Sequence, residues 1–322
     1  MGGTLGTRPY THGLHDLGNG CYAWLQPDGS WGWSNAGLVV DSGESLLVDT
    51  LFDRRLTAEM LAGMRRAEPR AAARIGTLVN THANGDHCYG NALVAGAEIV
   101  ASRASSEQME EDIQPAQFAS LLRSAESLGD VGRYFLRCFG AFEFAGIEPA
   151  FPTRTFDGTL TLHVGSKRVD LIEVGPAHTA GDVLVHVPAD RAIYTGDILF
   201  IDGTPIMWAG PVERWIAACD RILALAVDTV IPGHGPITDA RGVEAVKAYL
   251  GYVRTEARKR FEAGMSAVDA ARDIDLGVFA GWRDSERIAV NVRTLYRQWD
   301  PTTPAADAMT LFREMSALAR GK

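Results

Sequence analysis

The segment Thr81-His82-Ala83-Asn84-Gly85-Asp86-His87 decides the fold and the chemistry of this chain. Two histidines and an aspartate lie between positions 82 and 87, directly after the apolar run at residues 75–80. A strand that ends in a glycine-containing turn can direct several side chains at one point. Imidazole and carboxylate are the groups that bind divalent metals in hydrolases. The segment therefore predicts a metal site at a strand end, in preference to a polar turn with incidental histidines.

Three later polar residues repeat this arrangement. Each ends an apolar run and lies close to a glycine: His178 after residues 169–174, Asp197 after residues 192–193, and His234 after residues 227–231. Strand ends followed by glycine-rich loops are where a rigid scaffold presents functional groups. These residues are therefore further candidate metal ligands.

The order of these motifs resembles the metallo-β-lactamase fold superfamily. That family carries a His-x-His-x-Asp-His motif, then a single His, a single Asp and a last His. The matching positions are His82, Asp86, His87, His178, Asp197 and His234, and the resemblance runs from about residue 18 to about residue 240. It implies an α/β fold, an αββα four-layer sandwich in which two βα halves pack sheet against sheet, with helices outside and metals at one edge.

The resemblance also implies a role for each matched side chain. In motif order, the first metal site takes His82 and His178, the second takes Asp86, His87 and His234, and Asp197 bridges the two. Asp86 would also orient the attacking water, which makes it the expected catalytic residue. Asp182 and Asp49 are expected beside the ligands, where carboxylates fix the tautomer and orientation of histidines.

Asn84 is the departure from the motif, because the family has a histidine at this position. An amide oxygen is a weaker, uncharged donor than imidazole. The first site could therefore be weak, with one metal working in the second, or Asn84 could bind directly or through a water. The expected cofactor is Zn²⁺, one or two ions, with iron or manganese as alternatives. The set Asp86, His87, Asp197 and His234 would also suit iron and oxygen chemistry.

Alternating strand-like and helix-like segments favour α/β layers over the whole chain. We expect a flexible leader at residues 1–17 and a metallo-β-lactamase-fold domain at residues 18–240, with a helical insert at residues 103–150. Residues 241–322 are expected to form C-terminal helices packed on the same domain.

Aromatic residues near the motifs predict a substrate pocket. Trp31 and Trp33 follow a turn that flanks the active site in the resemblance, and Phe200 and Trp208 follow Asp197. The aromatic stretch of the insert, Phe135, Phe139, Phe142 and Phe144, is interpreted as core packing in preference to a cover over the pocket.

Composition limits the classes of function. The net charge of −9 and the absence of a long basic run argue against a nucleic-acid partner. No segment is apolar enough to cross a bilayer, and the N-terminus lacks a signal-peptide core, so a cytoplasmic protein without a membrane partner is expected. A homodimer is left open.

The sequence therefore predicts a metal-dependent hydrolase. The expected substrate is a partly hydrophobic small molecule with a thioester, lactone or ester bond, which a metal-bound hydroxide attacks. The alternatives are an iron-dependent oxygen-using enzyme on the same fold and a polyketide-pathway thioesterase or cyclase.

Overall fold

The computed structural model describes residues 4–319 and contains two β-sheets. The first sheet has seven strands, which follow one another across the sheet in chain order. They are β1 (Gly13–Gly18), β2 (Cys21–Leu25), β3 (Ala36–Asp41), β4 (Glu44–Val48), β5 (Thr77–Val79), β6 (Glu98–Ser102) and β7 (Arg154–Phe156). Neighbours from β1 to β4 are antiparallel, and neighbours from β4 to β7 are parallel.

The second sheet has five strands in the order β12-β11-β10-β9-β8. They are β8 (Thr159–Val164), β9 (Lys167–Glu173), β10 (Val183–Val187), β11 (Ala192–Tyr194) and β12 (Thr229–Ile231). The pair β11 and β12 is parallel, and the other neighbours are antiparallel.

The two sheets pack face to face because alternate side chains of their strands are apolar on the inner side. In β2, Cys21, Ala23 and Leu25 belong to the buried cluster between the sheets. Trp24 points to the opposite side. A Cβ at Gly63 would lie 2.6 Å from the Trp24 ring, so glycine allows a helix to approach this outer face closely.

Helices cover both outer faces, which completes the four-layer αββα sandwich and confirms the predicted fold class. They are α1 (Arg54–Ala67), α2 (Gly85–Cys88), α3 (Arg103–Glu111), α4 (Pro115–Ser124), α5 (Gly129–Phe139), α6 (Val212–Ala224), α7 (Ala240–Glu262), α8 (Ala267–Asp273), α9 (Ile288–Trp299) and α10 (Ala308–Ala319). Among residues 4–319, every helix is too short or too polar to span a bilayer.

The inserted and C-terminal helices meet on the same domain. Helices α3 to α5 lie within residues 103–150, and α10 packs against α5 and α9. Phe312 of α10 brings its ring centroid within 5.6 Å of Phe135 and 5.7 Å of Phe139 in α5. The two additions therefore share one aromatic cluster.

The N-terminal segment differs from the flexible leader expected at residues 1–17. Residues 13–17 belong to β1, which pairs with β2 and forms an edge of the first sheet. Farther upstream, the Thr7 N–H donates to the Ile237 carbonyl at 2.8 Å. The strand escaped prediction because four of its six residues, Gly13, His15, Asp16 and Gly18, have little strand propensity. Residues 1–3 lie outside the described part.

Candidate metal centre

The metal-ligand candidates converge because each lies just beyond a strand. His82, Asp86 and His87 follow β5, His178 follows β9, Asp197 follows β11 and His234 follows β12. The loops approach each other closely. A Cβ at Gly233 would lie 1.9 Å from Asp197 Oδ1, a distance that no non-bonded pair tolerates, so glycine is required beside this carboxylate.

Asp197 lies at the centre of the four histidines. Its Oδ1 is 3.1 Å from His87 Nε2. Its Oδ2 is 3.4 Å from His178 Nε2, 3.5 Å from His234 Nε2 and 3.7 Å from His82 Nε2. The carboxylate is 4% exposed, so these contacts lie in a medium where charge interactions are strong.

Asp86 supplies a second carboxylate. Its Oδ2 lies 3.2 Å from His234 Nε2 and 4.0 Å from His87 Nε2. With neutral imidazoles, Asp86 and Asp197 give the cluster two negative charges, which a divalent cation would balance. Burial raises the pKa of Asp86, but His87 and His234 more than offset it and hold that pKa below its usual value.

The four histidines share one tautomer. Their Nδ1 atoms contact acceptors: Thr81 Oγ1 for His82, Asp49 Oδ2 for His87, the Ile206 carbonyl for His178, and the Gly29 carbonyl for His234. The Thr81 hydroxyl donates to Asp49 Oδ2, so it accepts from His82. Because each Nδ1 faces an acceptor and donates to it, each ring in its neutral form would present the lone pair of Nε2 to the centre, as metal ligation requires.

Unpaired buried atoms show that the site suits a metal ion. His82 Nε2, His87 Nε2 and Asp197 Oδ1 are buried without a hydrogen-bond partner among the described residues, because the last two, although 3.1 Å apart, are not aligned as donor and acceptor. Leaving a polar atom in this state costs about 1–3 kcal/mol. Two donor sets bring their ligand atoms within 4.8 Å of one another, His82 with His87 and Asp197, and Asp86 with His87 and His234. A divalent cation would satisfy these atoms together.

Burial keeps two of the histidines neutral. It lowers the pKa of His178 to about 4, and it lowers the pKa of His82 well below its usual value, with the neighbouring His87 adding to that effect. Neutral imidazole is the metal-binding form.

Asn84 lies against His178. The side-chain oxygen Oδ1 of Asn84 is 2.7 Å from His178 Nε2. Asn84 also begins α2 as its N-cap residue, without a side-chain capping bond. His178 Nδ1 donates to the Ile206 carbonyl at 2.6 Å. Both ring nitrogens of His178 therefore have protein partners.

The two aspartates expected beside the ligands lie behind them. Asp49 contacts His87 and Thr81. Asp182 accepts hydrogen bonds from the Thr179 N–H, the Thr179 hydroxyl and the Ala177 N–H, on both sides of His178. Asp182 therefore fixes the loop that carries His178, while Asp49 fixes a ligand ring directly.

A cavity of about 300 Å³ opens onto the cluster. Asp86, Asp197 and His234 are among the polar residues that line it. Its apolar walls come from distant parts of the chain and include Trp31, Phe139, Phe200, Trp208 and Phe312. Small-molecule sites typically combine such apolar walls with a few polar groups.

Three of the four residues expected in the substrate pocket lie in the cavity wall. Trp31, Phe200 and Trp208 line the cavity. Trp33 does not belong to the lining, because its ring packs on Phe142 with a centroid distance of 4.8 Å. Phe139 is buried in the core, as expected for the insert, and it also lines the cavity.

The other three insert phenylalanines, Phe135, Phe142 and Phe144, are buried outside the lining, as core packing requires.

Arg287 is a cavity residue that the sequence did not reveal. It is 1% exposed, and its guanidinium carbon lies 4.3 Å from the Trp31 ring centroid and 5.2 Å from that of Phe200. Phe200 in turn stacks on His234, with centroids 5.1 Å apart and ring planes 8° apart. A single arginine outside the metal motifs gives no sequence signal for this contact.

The family model described as the metallo-beta-lactamase superfamily matches residues 29–234, more than half of the chain. The chain belongs to the metallo-beta-lactamase superfamily. The match contains the whole donor cluster and ends at His234, so α7 to α10, including the α10 wall of the cavity, lie beyond it.

Curated relatives match short stretches. The hydroxyacylglutathione hydrolase of Rhizobium meliloti is 36% identical over 63 residues, which cover 20% of this chain and 24% of that protein. The alpha subunit of 2,4-dinitroanisole O-demethylase from Nocardioides sp. is 31% identical over 88 residues, 26% of each chain. The chain thus spans about a quarter of the length of these two relatives.

Solved structures share the fold. A metallo-beta-lactamase from Pontibacter korlensis superposes with a TM-score of 0.56 at 17% identity, covering 74% of this chain and 98% of that one. An inverting sec-alkylsulfatase from Pseudomonas sp. gives a TM-score of 0.69 at 14% identity, covering 90% of this chain and 50% of that one. The second superposition extends well beyond the stretch that the family model matches.

Proposed function

We propose that this metallo-beta-lactamase superfamily member is a zinc-dependent hydrolase. Its substrate would be a small molecule with hydrophobic bulk and an acyl bond, either a thioester, a lactone or another ester. The observation that carries the proposal is the position of the unpaired His82, His87 and Asp197 ligand atoms beside an aromatic-walled cavity.

A metal held by His82, His87, Asp197, Asp86 and His234 would supply Lewis acidity and lower the pKa of a bound water towards neutrality. The remaining requirements of the reaction are met by side chains of the protein. Asp86 lines the cavity as an ionised carboxylate, placed to orient the attacking water and accept its proton. The apolar walls keep bulk water away from the reacting bond.

The choice of an acyl bond has separate support. Hydroxyacylglutathione hydrolases recur among the curated relatives, from Rhizobium meliloti and Mesorhizobium japonicum. The names of these relatives describe cleavage of an acyl group from glutathione, and the aromatic walls of this chain favour an apolar acyl group. A polyketide-pathway thioesterase or cyclase is a special case of the same chemistry.

A panel of substrates tests the proposal. The zinc-loaded protein should hydrolyse thioesters, lactones or aryl esters, with a rate that rises as the acyl group becomes more apolar. Asp197→Ala should lose both bound metal and turnover, while Asp157→Asn, at an exposed ion pair with Arg103, should keep both. A zinc-loaded protein inactive on every acyl class would contradict the proposal.

The same donor set favours one alternative, because two carboxylates with imidazoles also suit ferrous iron. Oxygen uptake by the iron-loaded protein, together with no hydrolysis by the zinc-loaded protein, would support an oxygen-using enzyme.

A further inference from the structure

We propose that each chain binds a single metal ion, because Asn84 holds His178 out of the ligand set. The inference rests on the proposed metal-dependent function and identifies which of the clustered side chains serve the metal. It also gives Asn84 and His178 a different task, as a polar pair in the cavity wall.

His87 limits the number of ions. The two donor sets within 4.8 Å, His82 with His87 and Asp197, and Asp86 with His87 and His234, both depend on it. Its Nδ1 is occupied by Asp49 at 3.0 Å, so Nε2 is the ring atom left for ligation. One lone pair binds one ion. The two sets therefore describe one location.

A second ion would need a separate site built from His82, His178 and Asp197. His178 Nε2 is indeed 3.4 Å from Asp197 Oδ2. However, the Asn84 amide lies closer, at 2.7 Å. His82 Nε2 and His87 Nε2 are buried without a hydrogen-bond partner, whereas His178 Nε2 has one. The lone pair that would complete the second site is therefore engaged.

The contact that His178 makes through Nδ1 determines the direction of the hydrogen bond at Nε2. Because His178 Nδ1 donates to the Ile206 carbonyl, the neutral ring can only accept at Nε2. The structure places Asn84 Oδ1 in this contact, and two acceptors cannot form a hydrogen bond. We therefore assign the amide after a half-turn, which exchanges its oxygen and nitrogen, so that the nitrogen donates to His178 Nε2. An imidazole at position 84 that binds a metal through the nitrogen facing His178 has no proton on that nitrogen. It could therefore not donate a hydrogen bond to His178 Nε2.

The side-chain oxygen of Asn84 is then available to accept a hydrogen bond. Asn84 and His178 both line the cavity, and α2 leaves the Asn84 side chain without a capping bond. With its nitrogen committed to His178, the amide oxygen is an acceptor for a hydroxyl or N–H group of the substrate. The position that would have held a second metal thus becomes a neutral contact for a hydrogen-bond donor next to the scissile bond.

Metal titration of the metal-free protein tests the inference. Calorimetry with Zn²⁺ and elemental analysis should give one tight equivalent per chain in the wild type. His178→Ala should retain that equivalent with nearly unchanged affinity. The matched variant His82→Ala should weaken it by more than about 100-fold, because losing a ligand costs more than losing a group that only supports one. Asn84→His should add a second equivalent.

The contrary results are equally definite. Two tight equivalents in the wild type, or loss of the tight equivalent in His178→Ala, would overturn the single-ion arrangement. Should His178→Ala not fold, His178→Gln keeps an acceptor for Asn84 and carries the same expectation. All these measurements count metal without turnover, so a failure of the proposed hydrolase activity leaves them interpretable, and a second ion would leave the hydrolase proposal standing.

Discussion

Asp49 Oδ2 lies 3.0 Å from His87 Nδ1, and the same carboxylate accepts hydrogen bonds from the backbone N–H and the hydroxyl of Thr81, each at 2.7 Å. Thr81 in turn contacts His82 Nδ1 at 3.0 Å. One buried carboxylate at the end of β4 therefore orients two neighbouring ligand rings, although it belongs to neither of the two donor sets.

Asp49→Asn should weaken zinc binding by about 10- to 100-fold, because the amide keeps the shape but loses the charge and one acceptor that hold His87. Competition with a chromogenic chelator measures the change. Asp157→Asn is the control, since Asp157 forms an exposed ion pair far along the chain. Equal affinity in both variants would show that His87 is held by packing alone.

Asp86→Asn should separate metal binding from catalysis. We expect kcat to fall by about 10²- to 10⁴-fold, the usual contribution of a positioned base, even at zinc concentrations that restore full occupancy. Stopped assays on the best acyl substrate, with bound zinc measured on the same sample, make the comparison. Turnover near that of the wild type at full occupancy would remove Asp86 from the mechanism.

Local sequence patterns predict part of this molecule well. The four-layer fold follows from motifs that each end a strand. The sequence Ser266-Ala267-Val268-Asp269 is typical of a helix start, and Ser266 caps α8 by accepting from the Asp269 N–H at 3.1 Å. By contrast, β1 is a strand only because β2 lies beside it, and its own residues favour no regular structure.

The contacts that the sequence could not predict are those between distant residues. Asn84 is a departure from a motif, yet its partner His178 is 94 positions away, and nothing in either neighbourhood encodes the hydrogen bond. Arg287 approaches Trp31 from the far end of the chain. Such contacts depend on how the layers pack, which no local periodicity specifies.

Phe139 and Phe135 offer a matched pair for the role of the insert. Both lie on α5 and both are 4% exposed, but Phe139 lines the cavity and Phe135 does not. Truncation of either to Ala should cost about 3–5 kcal/mol of unfolding free energy, because both leave a space in the same cluster. Only Phe139→Ala should raise KM for apolar acyl substrates.

Urea denaturation and steady-state kinetics on the two variants give the comparison. A rise in KM of the same size in both variants would mean that the loss of packing, and not contact with the substrate, is responsible.

Arg287 and Asp284 form the last testable pair. Arg287 Nη2 lies 3.1 Å from Asp284 Oδ2, and the guanidinium also donates to the Thr204 carbonyl at 3.0 Å. Arg287→Met leaves the partly buried Asp284 without its cation, so we expect a loss of about 3–5 kcal/mol. Adding Asp284→Asn should recover much of that loss, because no unpaired charge remains.

The stability of the Arg287→Met variant should depend on pH, in a direction set by the pKa of Asp284. Burial raises the pKa of Asp284, and Arg287 pulls it part of the way back, so Arg287→Met should raise that pKa further. A carboxyl group whose pKa is higher in the folded state costs stability as the pH rises above its ordinary value of about 4. Arg287→Met should therefore be destabilised more at pH 8 than at pH 5, as measured by urea denaturation at each pH.

The double variant should show a smaller difference, since an amide does not titrate. An equal loss at both pH values would mean that Arg287 acts by packing between Trp31 and Phe200 and not by neutralising Asp284.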